Sequence, residues 1–152
     1  MKTVATILFL LFSFISVIVA EGGDTPEMYT SSEKKQLASK TLNNRVKVYN
    51  AAFERIWKKM NNDMIEERFG DAARTLSAGS AILAESLADI ELNANLEKKP
   101  GKLKTYEINM RKVVNELRSL RLRGPAELQD SFAAFMEQTE STRRRLMDII
   151  FG

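Results

Sequence analysis

Residues 103–120 read LKTYEINMRKVVNELRSL, and the large apolar side chains in this stretch recur at alternating steps of three and four residues. The series consists of Leu103, Tyr106, Met110, Val113, Leu117 and Leu120. A mean step of about 3.5 residues places them along one face of an α-helix, where they can pack against neighbouring helices. The stretch therefore predicts an amphipathic helix that belongs to a helical bundle or coiled coil.

Three other parts of the chain show the same kind of spacing. Between residues 42 and 60 the series is Leu42, Val46, Tyr49, Phe53, Ile56 and Met60. Near the C-terminus it is Leu128, Phe132, Phe135, Thr139, Thr142, Leu146 and Ile149. A looser series consists of Leu76, Gly79, Leu83, Leu87, Ile90 and Ala94. Because short connections make consecutive helices antiparallel, we predict an all-α protein with an antiparallel up-down-up-down four-helix bundle.

The first helix is predicted from a capping pattern and from a turn residue. Thr30 precedes Glu33 by three residues, a spacing at which the two side chains can bind each other's backbone amides. This helix would run toward Phe69, with Gly70 in the left-handed conformation after it. The triplet Asn61-Asn62-Asp63 favours a break or kink, since these side chains compete for backbone hydrogen bonds. The alternative is one long helix whose end projects beyond the bundle.

The remaining boundaries follow from caps, glycine and proline. Asp71 is the predicted N-cap of a second helix that reaches about Lys98. The third helix is expected over Lys102 to Arg123. Pro125 fits the first position of the fourth helix, which we expect to end at about Ile150.

The N-terminus has the pattern of a secretory signal peptide. Lys2 is followed by an apolar run from Val4 to the small residue Ala20. We predict cleavage after Ala20 and export to the periplasm or the cell exterior. Because the run is long, the alternative is a retained N-terminal anchor. The domain organisation is then a signal peptide at 1–20, a flexible N-terminal segment at 21–30 and the bundle domain at 31–152.

The composition restricts the chemistry. The chain has no Cys and no His, which excludes Cys or His nucleophiles, a Ser-His-Asp triad, conventional zinc sites and His-ligated haem. Glu85 and Asp89 lie one helical turn apart, but two carboxylates supply too few oxygens for a cation. We therefore expect no enzyme, no cofactor and no metal. The formal net charge of +3 and the lack of a reader motif argue against a nucleic-acid partner.

One basic stripe is a candidate binding site. Lys104, Arg111 and Arg118 follow each other at seven-residue spacing, with Arg121 close by. A stripe of this kind can hold phosphates, lipid head groups or acidic polymers. The alternative is a solvated flank, because Glu107 lies at contact spacing from two of these cations and partly neutralises them.

An apolar cluster is the second candidate. Phe53, Trp57, Met60 and Met64 are large side chains within two to three helical turns. Such a cluster can line a hydrophobic ligand pocket or an adaptable binding groove. The alternative is that these side chains belong to the core or cover its end.

Two segments carry a resemblance to other proteins. Residues 103–112, LKTYEINMRK, and residues 147–152, MDIIFG, resemble uncharacterised exported bacterial proteins. Those proteins share a signal peptide, an E-I-x-[LM]-R-K helix and a last helix that ends in Phe-Gly. The resemblance implies a bacterial exported helical protein of unknown function, and it transfers no active site.

Together these patterns favour an exported, non-enzymatic bundle that acts by binding. We expect the partner to be another protein or a second copy of the chain. The alternative is an anionic ligand or an anionic membrane surface, bound through the basic stripe.

Overall fold

The structure, a computed structural model, describes residues 26–94 and 101–152. The signal peptide at 1–20, its cleavage after Ala20 and the expected helix end at Lys98 lie outside the described residues. Within them the protein is all-helical, without a strand, as predicted. Five α-helices and one 3₁₀ turn follow each other: α1 Ser31–Leu37, α2 Leu42–Ile65, α3 Phe69–Asn93, α4 Lys102–Arg123, the 3₁₀ turn Ala126–Leu128 and α5 Gln129–Phe151.

The four long helices pack in a closed cycle. Helix α2 contacts α3 and α4, and α5 contacts the same two helices from the other side, whereas α3 and α4 lie diagonally across the interior from each other. The helices therefore group into an α2–α4 pair and an α3–α5 pair that lie opposite each other. This packing is consistent with a bundle.

Polar contacts show how the helices of one pair run. The amide of Lys102 donates to Asn43 Oδ1, Asn109 Nδ2 donates to Asn50 Oδ1, and Trp57 Nε1 donates to Glu116. Residues further along α2 thus contact residues further along α4, so these two helices are parallel. The α3–α5 pair is parallel as well, because Phe135 lies against Gly79 and Arg145 reaches Glu91.

The apolar series of the sequence form the interior. In three of the four series every central position is buried, and in the series of α3 the exception is the half-buried Leu87. The other half-buried members lie at the ends, such as Leu42, Leu120 and Ile149. Phe53, Tyr106, Phe132 and Phe135 are among the largest fully buried side chains. Burial of each such side chain contributes about 1.5–3 kcal/mol, so the four faces together drive the helices into one core.

The predicted break near Asn61–Asp63 is wrong, because α2 continues through these residues as helix. Asp63 is fully buried, and its carboxylate binds Lys59 one turn earlier and Thr75 on α3. Its side chain is therefore not available to cap a backbone amide. The chain breaks instead between Leu37 and Leu42, where Arg45 binds the carbonyl oxygen of Ser39 at 2.8 Å.

The turn between α2 and α3 also differs from the prediction. The left-handed residue is Glu67, with a φ of 57°, and Gly70 lies inside α3. Helix α3 begins at Phe69 with Arg68 as N-cap, so Asp71 falls in the first turn rather than at the cap. Arg68 binds the buried Asp63 at 2.7 Å across this turn, which explains why the chain turns earlier than its glycine.

The other boundaries are close to those expected. The capping box of Thr30 and Glu33 is present at the start of α1. Helix α3 ends at Asn93, before the expected Lys98, and a 3₁₀ turn separates Pro125 from α5. Of the segment at 21–30, residues 26–30 are described, and Tyr29 is buried against the core.

Candidate functional site

Charge is divided unequally between the two helix pairs. Helix α2 carries five Lys or Arg residues against two Asp or Glu, and α4 carries seven against two. Helix α3 carries one against four, and α5 carries three against four. The α2–α4 pair is therefore strongly basic, and the opposite pair is mildly acidic, although the whole chain is nearly neutral.

The few carboxylates of the α2–α4 pair are all engaged. Asp63 is held by Lys59 and Arg68, and Glu107 binds Arg143 of α5 at 2.9 Å. The remaining two accept hydrogen bonds from uncharged groups, Glu54 from Asn109 and Glu116 from Trp57. None of the four is left to neutralise the outward-facing cations of this pair.

Most cations of the α2–α4 pair are free of carboxylates. Eight exposed side chains form no ion pair within the described parts of the chain: Lys47, Lys58, Lys102, Lys104, Arg111, Lys112, Arg121 and Arg123. We call these eight residues the basic surface. Two exposed apolar side chains lie on the same helices, Ile65 with 80% and Leu122 with 88% of its area accessible. The surface combines uncompensated positive charge with isolated apolar groups.

The predicted basic stripe divides into two parts. Arg118 pairs with Glu140 of α5 at 2.8 Å. Lys104, Arg111 and Arg121 are exposed and belong to the basic surface. Glu107 was expected to neutralise its neighbours on α4, but Arg143 takes its carboxylate instead.

Sequence reasoning missed the share of α2 in this surface. Lys47 and Lys58 lie on the helix beside α4, and Lys58 and Lys112 line the same shallow depression between the two helices. The spacing within α2 shows that these lysines are polar positions. This spacing does not show which helix packs beside α2, so the sequence alone could not place the two lysines next to α4.

The predicted apolar cluster lies in the core. Phe53 and Met60 are fully buried, Trp57 is 7% exposed and Met64 is half-buried. The rings of Phe53 and Trp57 both stack on Phe135, at centroid distances of 6.2 and 6.3 Å. These rings connect α2 and α5 across the interior, which agrees with the structural alternative for this cluster.

The three tyrosines are buried, and burial is the main cause that raises the pKa of each phenol. Their hydroxyls are therefore protonated at neutral pH. Tyr49 donates to Asp89 at 2.9 Å, and the hydroxyl of Tyr106 lies 2.9 Å from Ser86 Oγ. These contacts connect helices across the interior.

Residues 26–94 and 101–152 contain no cluster of three or more His, Cys, Asp or Glu side chains suited to a metal ion. Among the helices that the structure describes, none is both long and apolar enough to cross a membrane.

No protein-family model, curated protein or solved structure matches this chain. The resemblance to exported bacterial proteins thus stays a prediction from the sequence.

Proposed function

We propose that the protein is an exported, non-enzymatic binding protein whose basic surface attaches it to an anionic membrane. The observation that carries this proposal is the set of eight exposed cations on α2 and α4 that form no ion pair with any residue at 26–94 or 101–152. Each Lys or Arg held near an anionic lipid surface contributes about 1 kcal/mol, so several acting together give useful affinity. The strength of such attachment depends on ionic strength.

The proposed architecture supports this function. In it, the four long helices alternate in direction along the chain, as in the up-down-up-down bundle expected from the sequence, but α2 and α4 lie side by side. Because these two helices are neighbours, their cations then lie on the same side of the bundle and not on opposite sides. This arrangement is suited to a flat partner such as a lipid bilayer.

The exposed apolar groups support a lipid partner over a soluble polyanion. Ile65 and Leu122 lie at the C-terminal ends of α2 and α4. Apolar side chains beside cations are typical of helices that lie in the interface of a membrane. A soluble polyanion would gain nothing from these two groups.

The test is a sedimentation assay with vesicles of phosphatidylglycerol and phosphatidylcholine, against vesicles of phosphatidylcholine alone. The mature protein should bind the anionic vesicles, and binding should weaken steeply with salt as the Debye length falls from about 30 Å at 0.01 M to about 3 Å at 1 M. Equal binding to neutral vesicles, or no dependence on salt, would contradict the proposal.

A matched pair of variants separates the basic surface from net charge. Replacing Lys47, Lys58 and Lys112 by Gln removes three charges from the basic surface and should weaken vesicle binding at least tenfold, or about 1.4 kcal/mol. Replacing Lys34, Lys35 and Lys40 by Gln removes the same charge near α1, and binding should stay within about twofold. Equal losses in both variants would contradict a specific surface, as would tighter binding to duplex DNA than to the vesicles.

Self-association is a second candidate, and the unequal charge of the helix pairs favours it. Glu85, Asp130 and Glu137 of the α3–α5 pair are exposed and form no ion pair within the described residues. The basic surface of one copy can therefore face the acidic pair of another. Light scattering at low salt should then give a mass that rises with protein concentration, whereas a constant monomer mass would rule this candidate out.

A further inference from the structure

A groove runs between the antiparallel helices α4 and α5 near the C-terminus of the chain. It has a volume of about 180 Å³. Its lining includes basic and apolar side chains: Lys104, Arg111 and Arg143 are basic, and Ile108, Met147 and Phe151 are apolar. The groove lies on the flank of α4 that faces α5, away from the depression that Lys112 shares with α2.

The charge of this groove is positive and localised. Glu107 is the one carboxylate in its lining, and its side chain is 7% exposed because it binds Arg143 at 2.9 Å. That pair is neutral as a unit. Lys104 and Arg111 are exposed and form no ion pair within the described residues. They lie seven residues apart, which is about 10 Å along the helix axis.

The apolar part of the groove is open to water. Phe151 is 68% exposed, although it is one of the largest side chains in the protein. Ile108 and Met147 are half-buried and belong to the same lining as the basic residues and Phe151. We call these three apolar side chains the floor of the groove. Methionine is flexible and adapts to irregular partners, so the floor can adjust to the shape of a hydrocarbon chain.

We propose that the groove binds one molecule of a single-chain anionic amphiphile, such as a fatty acid. Its head group is held by Lys104 and Arg111, and its alkyl chain covers Ile108, Met147 and Phe151. The proposal goes beyond attachment to a membrane, because it concerns a monomeric ligand held by two members of the basic surface together with apolar side chains between α4 and α5.

The chemistry of the lining selects this class of ligand. Inorganic phosphate or a short carboxylate would satisfy the cations and leave the apolar floor in water. A neutral lipid would cover the floor and leave the two cations without a partner. Small-molecule sites usually combine a mostly apolar lining with a few polar groups that fix orientation, and both are present here.

The test is calorimetric titration of the mature protein with decanoate below its micelle concentration, with acetate and decanol as comparison ligands. Decanoate should bind saturably at one site, decanol should bind more weakly, and acetate should give no saturable binding. Equal affinity for decanoate and decanol would overturn the role of the cations. Equal affinity for acetate would overturn the role of the floor, and the absence of saturable decanoate binding would overturn the proposal.

Variants on both parts of the groove locate the ligand. Replacing Lys104 and Arg111 by Gln should weaken decanoate binding roughly tenfold or more, the effect of losing charge-assisted hydrogen bonds. Ile108→Glu should weaken binding further by placing a negative charge in the floor, whereas Ile108→Leu should retain it.

Replacing Lys47 and Lys58 by Gln serves as the charge-matched control, and it should leave decanoate binding unchanged. Far-UV circular dichroism checks that each variant is folded. Undiminished binding by both groove variants would overturn the assignment of the site. Because the vesicle assay uses Lys47, Lys58 and Lys112, either proposal can fail without the other.

Discussion

The guanidinium group of Arg45 binds both carboxylate oxygens of Asp89, at 2.7 and 2.9 Å, and so joins the first turns of α2 to the last turns of α3. Tyr49 donates a third hydrogen bond to the same carboxylate, and Arg45 also holds the carbonyl of Ser39. Burial raises the pKa of Asp89, but the hydrogen bonds from Arg45 and Tyr49 outweigh it, so the pKa lies below its ordinary value. Asp89 therefore connects two helices and the chain that leads into α2.

We expect Asp89→Asn to lower the free energy of unfolding at neutral pH by about 1–3 kcal/mol, because it removes a charge-assisted pair that is only partly exposed. A carboxylate with a lowered pKa stabilises the folded state above its unfolded pKa of about 3.9, and this stabilisation is lost as the pH falls through the folded pKa. The difference between wild type and Asp89→Asn should thus be complete at neutral pH and shrink in acid.

Urea unfolding at neutral and acid pH measures this difference. Glu137→Gln is the control, since Glu137 is exposed and has no ion pair within the described residues. It should change stability by no more than about 0.5 kcal/mol. A gap for Asp89→Asn that stays constant into acid would contradict the linkage.

Helix α3 packs closely against Phe135 and Ile56 at Gly79. A β-carbon there would lie 2.8 Å from Phe135 Cε2 and 3.2 Å from Ile56 Cγ2. Gly79→Ala should therefore destabilise the protein by about 1–3 kcal/mol, in spite of the better helix propensity of alanine.

Gly70→Ala is the matched control for this position, because its β-carbon would meet only the end of Arg74, at 3.9 Å. It should be neutral or stabilising by up to about 1 kcal/mol. Thermal unfolding of both variants gives the comparison, and equal effects would show that packing at Gly79 is not the cause.

The turn between α2 and α3 stores backbone strain at Glu67, whose φ of 57° is unfavourable for a residue with a β-carbon. Glu67→Gly should stabilise the protein by about 0.5–1 kcal/mol. Glu66→Gly, one residue earlier at a negative φ of −88°, should destabilise it. Chemical denaturation distinguishes the two, and a loss of stability in Glu67→Gly would contradict the role assigned to this residue.

Thr139 and Thr142 occupy buried positions in the apolar series of α5 and differ in their hydrogen bonds. Thr139 Oγ1 donates to the carbonyl of Phe135 at 2.7 Å, whereas Thr142 Oγ1 is buried and has no hydrogen-bond partner among the residues that the structure describes. Thr142→Val should stabilise the protein by about 1 kcal/mol, since it removes an unsatisfied hydroxyl group. Thr139→Val should destabilise it by about 0.5–1 kcal/mol. Thermal unfolding measures both effects, and the melting temperature of Thr142→Val should lie above that of Thr139→Val. The reverse order would contradict the prediction.

The helix faces were predictable from the sequence because spacing is a local property. Leu103, Met110 and Leu117 recur at helical steps whatever they pack against, and all three are fully buried. The boundary at Asn61–Asp63 was not predictable in the same way. Asp63 is bound by Arg68 and Thr75, which are distant from its own helical turn, and such contacts override local preferences.

The candidate site was predictable only in part, for the same reason. The exposure of Lys104 and Arg111 follows from their spacing beside the apolar face of α4. The placement of Lys47 and Lys58 beside that helix depends on α2 and α4 being parallel neighbours, and the sequence led us to expect consecutive helices as neighbours instead. The ion-pair partner of Glu107 could not be predicted from the sequence either, since it is Arg143 on another helix.

The unequal charge of the two helix pairs gives the molecule an electric dipole moment perpendicular to the helix axes. Along the axes, the peptide dipoles of α2 and α4 oppose those of α3 and α5 and largely cancel. Near a negatively charged boundary, the transverse moment experiences a torque within about 8–10 Å, the screening distance at physiological ionic strength. The protein would therefore rotate into one orientation before any of its atoms touched that boundary.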